Sequence, residues 1–138
     1  MSLSFFDTNV LIYADDNGVP EKRERALRLI ANGIQQKNAA ISLQVLQEYF
    51  VTVTRKLGVD PHIAQRKIEN LVRSLILVRI AERDVIAAIE LHRLDGVSFW
   101  DALIVSAARL IDAKTLYSED LQPGRRWGGL AVVNPFSS

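Results

Sequence analysis

The 138-residue sequence contains no cysteine. It can therefore form neither a disulfide framework nor a thiolate metal site, and nothing in its composition points to an oxidising compartment. Long hydrophobic runs are also missing, since the uncharged apolar stretches fall well short of the ~20 residues that span a bilayer. The amino terminus lacks the basic segment of a secretory signal. We therefore expect a cytoplasmic protein with no membrane association.

The sequence also lacks an excess of either charge. Seventeen Lys and Arg residues against 16 Asp and Glu residues give a formal net charge of +1 at pH 7. Bulk positive charge is therefore excluded as a means of binding nucleic acid, although a local basic patch remains open. With 49% hydrophobic and 24% charged residues, and no repeat, low-complexity tract or long linker, the chain is predicted to form one globular domain over residues 1–138.

Short strand-like runs alternate with amphipathic, helix-like segments along the whole chain. Strands are predicted at residues 3–6, 39–42, 75–80, 115–118 and 130–134. Helices are predicted at residues 20–36, 43–57, 61–73, 82–94 and 98–113. Strands separated by helices need crossover connections, which predicts a parallel sheet with helices on both faces. Because ligands of such sheets bind beyond the carboxyl ends of the strands, residues at that edge are the candidates for chemistry.

Most acidic residues of the predicted helices have an arginine three or four positions away, which is typical of a solvated helix face. The residues concerned are Glu21, Glu24, Glu69 and Glu90. Glu48 and Asp101 differ, because no basic residue stands three or four positions from either of them. These two lie in the first half of predicted helices, and the helix of Asp101 is apolar on nearly every face, which predicts that it is buried.

Two further acids follow predicted strands directly. Asp7 comes after the run at 3–6, and Asp120 follows the run at 115–118. Each of the four acids also has a local explanation that the sequence leaves open. Asp7 can be a helix N-cap or turn residue, and Asp120 can be a turn acid. Asp101 can be the capping-box partner of Ser98. Glu48 can be a solvated side chain at the edge of the apolar stripe of its helix, which is formed by residues 46, 49, 50, 53 and 57.

The four acids point to a metal site if they meet at one sheet edge. Clustered carboxylates repel one another and raise one another's pKa unless a cation binds among them. A set of oxygen ligands suits Mg²⁺ or Mn²⁺. Such an ion can lower the pKa of a bound water, orient it for in-line attack on a phosphodiester and offset charge on the leaving oxygen.

Four segments that contain these acids resemble the PIN-domain family, and in particular the VapC-type ribonuclease toxins of prokaryotic toxin–antitoxin pairs. They are FFDTNVLIYADD, SLQVLQEYF, VSFWDALIVSAARL and LYSEDLQPGRRWGGLAVVNPF. Each motif is weak alone, but their order and spacing make a strong signal, and the match runs from about residue 5 to residue 136. The resemblance implies a three-layer α/β/α fold whose parallel sheet of about five strands has the order 3-2-1-4-5.

The resemblance also assigns roles to individual residues. It makes Asp7, Glu48 and Asp101 the core metal ligands and catalytic acids, with Asp120 as a less essential fourth. Asp120 is preferred to its neighbour Glu119 because it aligns with the family's last carboxylate. Three more positions are implied to shape the site through hydrogen bonds, although their residue types are also common at helix starts and strand ends. They are Thr8, Asn9 and Ser118.

Activity in the family is Mg²⁺- or Mn²⁺-dependent endonucleolytic cleavage of RNA, which inhibits translation, and a small cognate antitoxin protein blocks it. The resemblance therefore implies RNA as the substrate, an antitoxin as a partner and a homodimer as the usual assembly. Arg125 and Arg126 are candidates for phosphate contacts, with a solubilising loop as the alternative. Trp100 can stack a base, although core packing is the stronger expectation. His62 and His92 lack metal-ligand spacing and are expected at the surface.

Two other functions remain open from the sequence. A catalytically inactive PIN-fold domain can serve as a regulatory or interaction protein. A metal-dependent phosphatase that begins with an acid at its first strand end is less favoured, because that chemistry normally uses D-x-D and this chain has Asn9 in place of the second acid.

Overall fold

The computed structural model describes residues 2–137, which form six helices and one six-stranded sheet. The strands are β1 (Ser4–Phe6), β2 (Ala39–Ser42), β3 (Ile76–Val78), β4 (Thr115–Tyr117), β5 (Arg126–Trp127) and β6 (Leu130–Val133). The helices are α1 (Thr8–Tyr13), α2 (Pro20–Gln36), α3 (Leu43–Arg55), α4 (Pro61–Ser74), α5 (Glu82–Asp95) and α6 (Phe99–Leu110). Every predicted strand and helix is present, with differences only at the ends.

The sheet has the order β3-β2-β1-β4-β6-β5. All neighbouring strands run parallel except β5 and β6, which form an antiparallel hairpin. The predicted order 3-2-1-4-5 is therefore confirmed for the parallel strands, and the difference is β5, a two-residue edge strand. Trp127 pairs with Leu130, and Gly128 between them takes φ +61°, which suits the first position of a two-residue hairpin turn.

The core lies between the sheet and the helices that cover it. The central strands contribute Phe5, Ile41 and Leu116, all fully buried. The predicted burial of the last helix is confirmed, because six residues of α6 are buried: Ala102, Leu103, Ile104, Val105, Ala107 and Ala108. Burial on almost every side fixes the position of α6, and with it the position of its first turn.

Helix α2 packs closely against the strands that end at the site. A Cβ atom added at Gly33 would lie 2.5 Å from the Cβ of Ala39 and 3.2 Å from the Cζ of Phe6. Only glycine permits this approach of the helix backbone to β1 and β2. The contact holds Phe6, the last residue of β1, directly before Asp7.

Some expectations about individual residues are wrong. Helix α1 was not predicted as a helix. Phe50 was expected in the core stripe of α3, yet it is 37% exposed, because the buried face of this helix runs through Val45, Tyr49 and Val53. Of the four expected acid–arginine helix pairs, only that between Glu24 and Arg28 forms within residues 2–137.

No helix within residues 2–137 is long and apolar enough to cross a membrane.

Candidate active site

Asp7 stands at the carboxyl end of β1, beside the end of β4. Its backbone N–H donates to the carbonyl of Tyr117 at 2.9 Å, which continues the pairing of the two strands. Its carboxylate accepts hydrogen bonds from the backbone N–H of Thr8 at 2.8 Å and from the hydroxyl of Ser118 at 2.7 Å. Asp7 is thus the N-cap of α1, as its local explanation required, but its carboxylate is also bonded across the sheet edge.

The Asp7 carboxyl is buried, and no Lys, Arg or His side chain of residues 2–137 forms an ion pair with it. Burial raises its pKa to about 6, although the hydrogen bonds from Ser118 and Thr8 act in the opposite direction. The carboxylates of Asp120 and Asp101 raise this pKa further. None of these three acids takes part in an ion pair within residues 2–137. The electrostatic environment of the Asp7 carboxyl therefore favours a bound proton or a bound cation.

Glu48 is held over the first turn of α1. Helix α3 begins after Ser42, whose hydroxyl accepts a 3.4 Å hydrogen bond from the N–H of Val45, and this start directs Glu48 toward the sheet edge. The Glu48 carboxylate accepts a hydrogen bond of 2.6 Å from the Thr8 hydroxyl and one of 3.4 Å from the Gln44 amide. Glu48 is half-buried, so the explanation of a freely solvated side chain does not describe it.

Asp101 lies in the first turn of α6. The Ser98 hydroxyl caps this helix by accepting a 3.1 Å hydrogen bond from the N–H of Asp101. Across residues 2–137, the Asp101 carboxylate accepts no hydrogen bond from the backbone N–H of Ser98. Half of the expected capping box is therefore present, and the half-buried Asp101 carboxylate lies at the cavity.

Asp120 and Glu119 follow β4 and have different surroundings. The side chain of Asn9 donates to the Asp120 carboxylate and accepts from the backbone N–H of Glu119, each at 3.2 Å. The Ser118 hydroxyl also accepts a 3.1 Å hydrogen bond from the N–H of Asp120. The Glu119 carboxylate bonds instead to Lys22 at 2.5 Å. Asp120 therefore lines the cavity and Glu119 does not, and the choice of Asp120 as the site acid stays a prediction.

An open cavity of about 470 Å³ lies at this edge and is lined by the four predicted acids, Asp7, Glu48, Asp101 and Asp120, together with Thr8 and Asn9. It occupies the switch point of the sheet, where β1 is flanked by β2 on one side and β4 on the other. Ser118 is fully buried beneath it and supports Asp7. The structure thus brings the acids together from the segments that follow β1 and β4, from the middle of α3 and from the first turn of α6.

Sequence reasoning missed six other residues of the cavity wall. They are Ile12, Gln44, Gln47, Val51, Thr52 and Ile104. Most of them stand one helical turn from a predicted site residue, as Gln44 and Thr52 do from Glu48. Helical spacing from each acid was therefore a signal that could have found them.

The predicted arginines do not line the cavity. Arg125 forms an ion pair with Asp95, and its guanidinium lies 4.9 Å from the centre of the Trp127 ring. Arg126 is exposed in β5. Contact of either arginine with a substrate phosphate therefore stays a prediction.

The aromatic and histidine expectations have mixed outcomes. The prediction that Trp100 packs in the core is wrong, because this residue is 62% exposed. Its ring lies on the outer side of the first turn of α6 and meets the Phe99 ring edge to face, with 5.2 Å between the ring centres. His62 and His92 are exposed, as expected.

The donor set of the cavity fits a hard divalent cation. Within residues 2–137, no three Asp, Glu, His or Cys side chains are already arranged to hold a metal ion. The four acids of one cavity nevertheless supply only carboxylate oxygens, the ligands that Mg²⁺ and Mn²⁺ prefer. Asp7 is buried among them and forms no ion pair with another residue of 2–137. Water ligands fill the remaining positions around Mg²⁺ in most protein sites.

The fold and the site define an α/β protein with an acidic cavity at the switch point of a parallel sheet. The model of the PIN domain family matches residues 4–125. This match covers most of the chain, and the protein belongs to the PIN domain family. No curated protein sequence matches the chain.

Solved structures with the same fold include toxins and toxin–antitoxin complexes. One is VapC20 of Mycobacterium tuberculosis, described as a sarcin-ricin loop cleaving toxin. It has 24% identity and a TM-score of 0.69, over 85% of this chain and 89% of that one. A toxin–antitoxin complex from Klebsiella pneumoniae has 20% identity and a TM-score of 0.69 over 98% and 99% of the two chains. VapBC2 of Rickettsia felis, bound to promoter DNA, has 21% identity and a TM-score of 0.66 over 94% and 96%.

Proposed function

We propose that this protein is an Mg²⁺- or Mn²⁺-dependent endoribonuclease that acts as the toxin of a VapBC-type pair and inhibits translation. One observation carries the proposal: carboxylates from four separate parts of the fold line one cavity, and none of them is paired with a cation in residues 2–137. The fold that the chain shares with VapC20, a toxin described as cleaving the sarcin-ricin loop, supports RNA as the substrate.

In this proposal, Asp7, Glu48, Asp101 and Asp120 hold the cation. When bound, the ion supplies positive charge that activates water and stabilises charge on the phosphate. The residues around the acids orient them: Thr8 donates to Glu48, Asn9 donates to Asp120, and Ser118 donates to Asp7. Hydrogen bonds of this kind fix the direction of these three carboxylates before the ion binds.

The proposed partner is a small antitoxin protein. The fold shared with the toxin–antitoxin complexes from Klebsiella pneumoniae and Rickettsia felis supports this part of the proposal. We further propose that the chain acts in the cytoplasm as a single PIN domain and assembles as a homodimer.

The nuclease activity is tested with labelled structured RNAs, purified protein and Mg²⁺, Mn²⁺ or a chelator. The test variant is Asp101→Asn, and the matched control is Asp112→Asn, the same replacement at an exposed position outside the cavity. Asp112 has φ +53°, a conformation that asparagine tolerates. We expect metal-dependent cleavage by the wild type and the control, and none by Asp101→Asn.

Other outcomes favour the other two functions. Release of phosphate from small esters, without RNA cleavage, would identify a phosphatase. Tight binding of a small protein without turnover on a broad RNA pool would identify an inactive PIN-fold regulator.

The toxin role is tested separately in cells. Induced expression of the wild-type chain should arrest growth and translation, whereas Asp101→Asn should not. A short reading frame next to the gene should encode a protein that binds this chain and restores growth. Continued translation during expression of a nuclease-active chain would contradict the toxin role while leaving the nuclease activity in place.

A further inference from the structure

Glu119 is bonded through both carboxylate oxygens to residues from the other end of the chain. Its Oε2 forms an ion pair with the Nζ of Lys22 at 2.5 Å, and its Oε1 accepts a 2.6 Å hydrogen bond from the Tyr13 hydroxyl. Lys22 also donates to the Tyr13 oxygen at 3.3 Å. The three side chains therefore form a closed set of hydrogen bonds between α1, α2 and the segment after β4.

Phe136 covers this set from the carboxyl-terminal side. The Nζ of Lys22 lies 4.8 Å from the ring centre of Tyr13 and 5.8 Å from that of Phe136, within the range of cation–π attraction. The two rings meet edge to face, with 4.8 Å between their centres. Arg25 binds the carbonyl of Ser137 at 3.2 Å, which holds the terminal segment on α2. We call Tyr13, Lys22, Glu119 and Phe136 the clamp.

The carboxylate of Asp120, the next residue, has little support of its own. It is exposed, and among the described residues its carboxylate has one hydrogen-bond donor, the amide of Asn9 at 3.2 Å. The segment between β4 and β5 contains neither helix nor strand. Backbone hydrogen bonds join the segment to β6 at Ser118 and Gly124. Between these two points, the described hydrogen bonds of residues 119–121 involve side chains: Glu119 is bonded to α1 and α2, and Ser118 beside it is bonded to Asp7.

We propose that Glu119 is a positioning residue: through Lys22 and Tyr13 it holds the segment after β4 so that the Asp120 carboxylate reaches the cation at the cavity. This inference rests on the proposed metal-dependent function. Glu119 is not a ligand in it, because both of its oxygens are already bonded outside the cavity. Ligand-orienting residues of this kind typically change metal affinity by about 10- to 100-fold when they are replaced.

The test measures Mn²⁺ affinity by calorimetry, without RNA, in the full chain. Glu119→Gln should weaken Mn²⁺ binding by about 10-fold, the lower end of the range, because one carboxylate of four is displaced. Glu24→Gln is the matched control: it removes an exposed acid–arginine pair from α2 and should leave the affinity unchanged. Thermal unfolding without metal establishes that each variant is folded. Tyr13→Phe, which removes one hydroxyl, replaces Glu119→Gln if that variant does not fold.

A background without Asp120 separates positioning from a general loss of structure. In Asp120→Asn protein, adding Glu119→Gln should have no further effect on Mn²⁺ affinity, because the carboxylate that it positions is absent. An unchanged affinity in Glu119→Gln alone, or an equal loss in both backgrounds, would overturn the role of the clamp. A wild-type protein that binds no Mn²⁺ would instead overturn the proposed function.

Discussion

The hydroxyl of Thr8 donates a 2.6 Å hydrogen bond to the carboxylate of Glu48, across 40 residues of sequence. The bond joins the first turn of α1, directly after Asp7, to the middle of α3. It links the residue after Asp7 to Glu48, and both of these acids lie in the cavity wall. The arrangement of the acids therefore depends on neutral side chains as well as on the sheet edge.

Replacing Thr8 with valine tests this dependence. Thr8→Val keeps the shape of the side chain, but among residues 2–137 it leaves the Glu48 carboxylate with only the 3.4 Å bond from Gln44. We expect a loss of about 1 kcal/mol in the free energy of unfolding. We also expect a fall of about 10-fold in Mn²⁺ affinity, measured by calorimetry. Thr8→Ser retains the hydroxyl and is the control; equal affinities in the two variants would contradict a role for the bond.

The stability of the metal-free protein should depend on the ionisation of Asp7. The pKa of this carboxyl is raised from its ordinary value of 3.8 to about 6 in the folded state, mainly by burial. The folded state therefore binds the proton more tightly than the unfolded state. Stability from this group is present below about pH 4 and is lost as the pH rises to about 6, a difference of about 3 kcal/mol.

Asp7→Asn removes this dependence. In chelator, its free energy of unfolding relative to the wild type should rise by about 2 to 3 kcal/mol between about pH 4 and about pH 7. Urea denaturation at the two pH values measures this change. Asp112→Asn, at an exposed position, should show no such rise. A constant difference between Asp7→Asn and the wild type at both pH values would argue against a buried, destabilised carboxylate.

Gly33 provides a test of the packing that holds β1 in place. Alanine at an exposed helical position is normally more stable than glycine by about 1 kcal/mol. At Gly33 the added Cβ would meet Ala39 at 2.5 Å, so we expect overpacking to outweigh the helix propensity and to destabilise the protein by about 1 to 3 kcal/mol. Asn32→Ala, at the adjacent exposed position, should be neutral or stabilising in the same denaturation assay. A more stable Gly33→Ala protein would show that α2 can move away from the sheet.

We expect Arg125 to contribute to the stability of the fold and Arg126 to make no such contribution. Arg125→Ala leaves Asp95 without its ion-pair partner, and one oxygen of this carboxylate already has no hydrogen-bond partner in the described part of the chain. We expect a loss of about 1 to 3 kcal/mol in the free energy of unfolding. Arg126→Ala should leave stability unchanged because Arg126 is exposed. An equal free energy of unfolding in the two variants would contradict a structural role for Arg125 alone. The KM for RNA of each variant then tests whether the arginine contacts a substrate phosphate.

Local sequence signals were enough to predict most of the fold. The helix Pro20–Gln36 and the strand Ala39–Ser42 were predicted with their observed bounds. A proline suited to the first turn and a clear helical period define such a helix without information from distant residues. The six residues of α1 and the two of β5 are too few to display a period, and both elements were missed.

The four acids were predictable for a related reason. The absence of a basic neighbour at helical spacing from Glu48 or Asp101 is a property of the local sequence, and so is the position of Asp7 after a strand. The contacts that orient these acids are not local. Nothing near Glu119 in the sequence indicates Lys22, and nothing near Glu48 indicates Thr8.

Hydrophobic character alone also failed to predict burial at two positions. Phe50 and Trp100 were both expected to pack in the core, but each lies on the outer side of its helix. The faces of α3 and α6 that meet the sheet are set by the neighbouring elements, and the residue type does not report this choice.

The central claim is that the cavity at the ends of β1 and β4 holds a divalent cation between carboxylates. Anomalous diffraction from crystals of the full chain equilibrated with saturating Mn²⁺ tests it most directly. We expect a peak beside the carboxylates of Asp7 and Asp101, and the loss of that peak in Asp101→Asn crystals. A cavity without an anomalous peak, or Mn²⁺ bound only elsewhere on the protein, would contradict it.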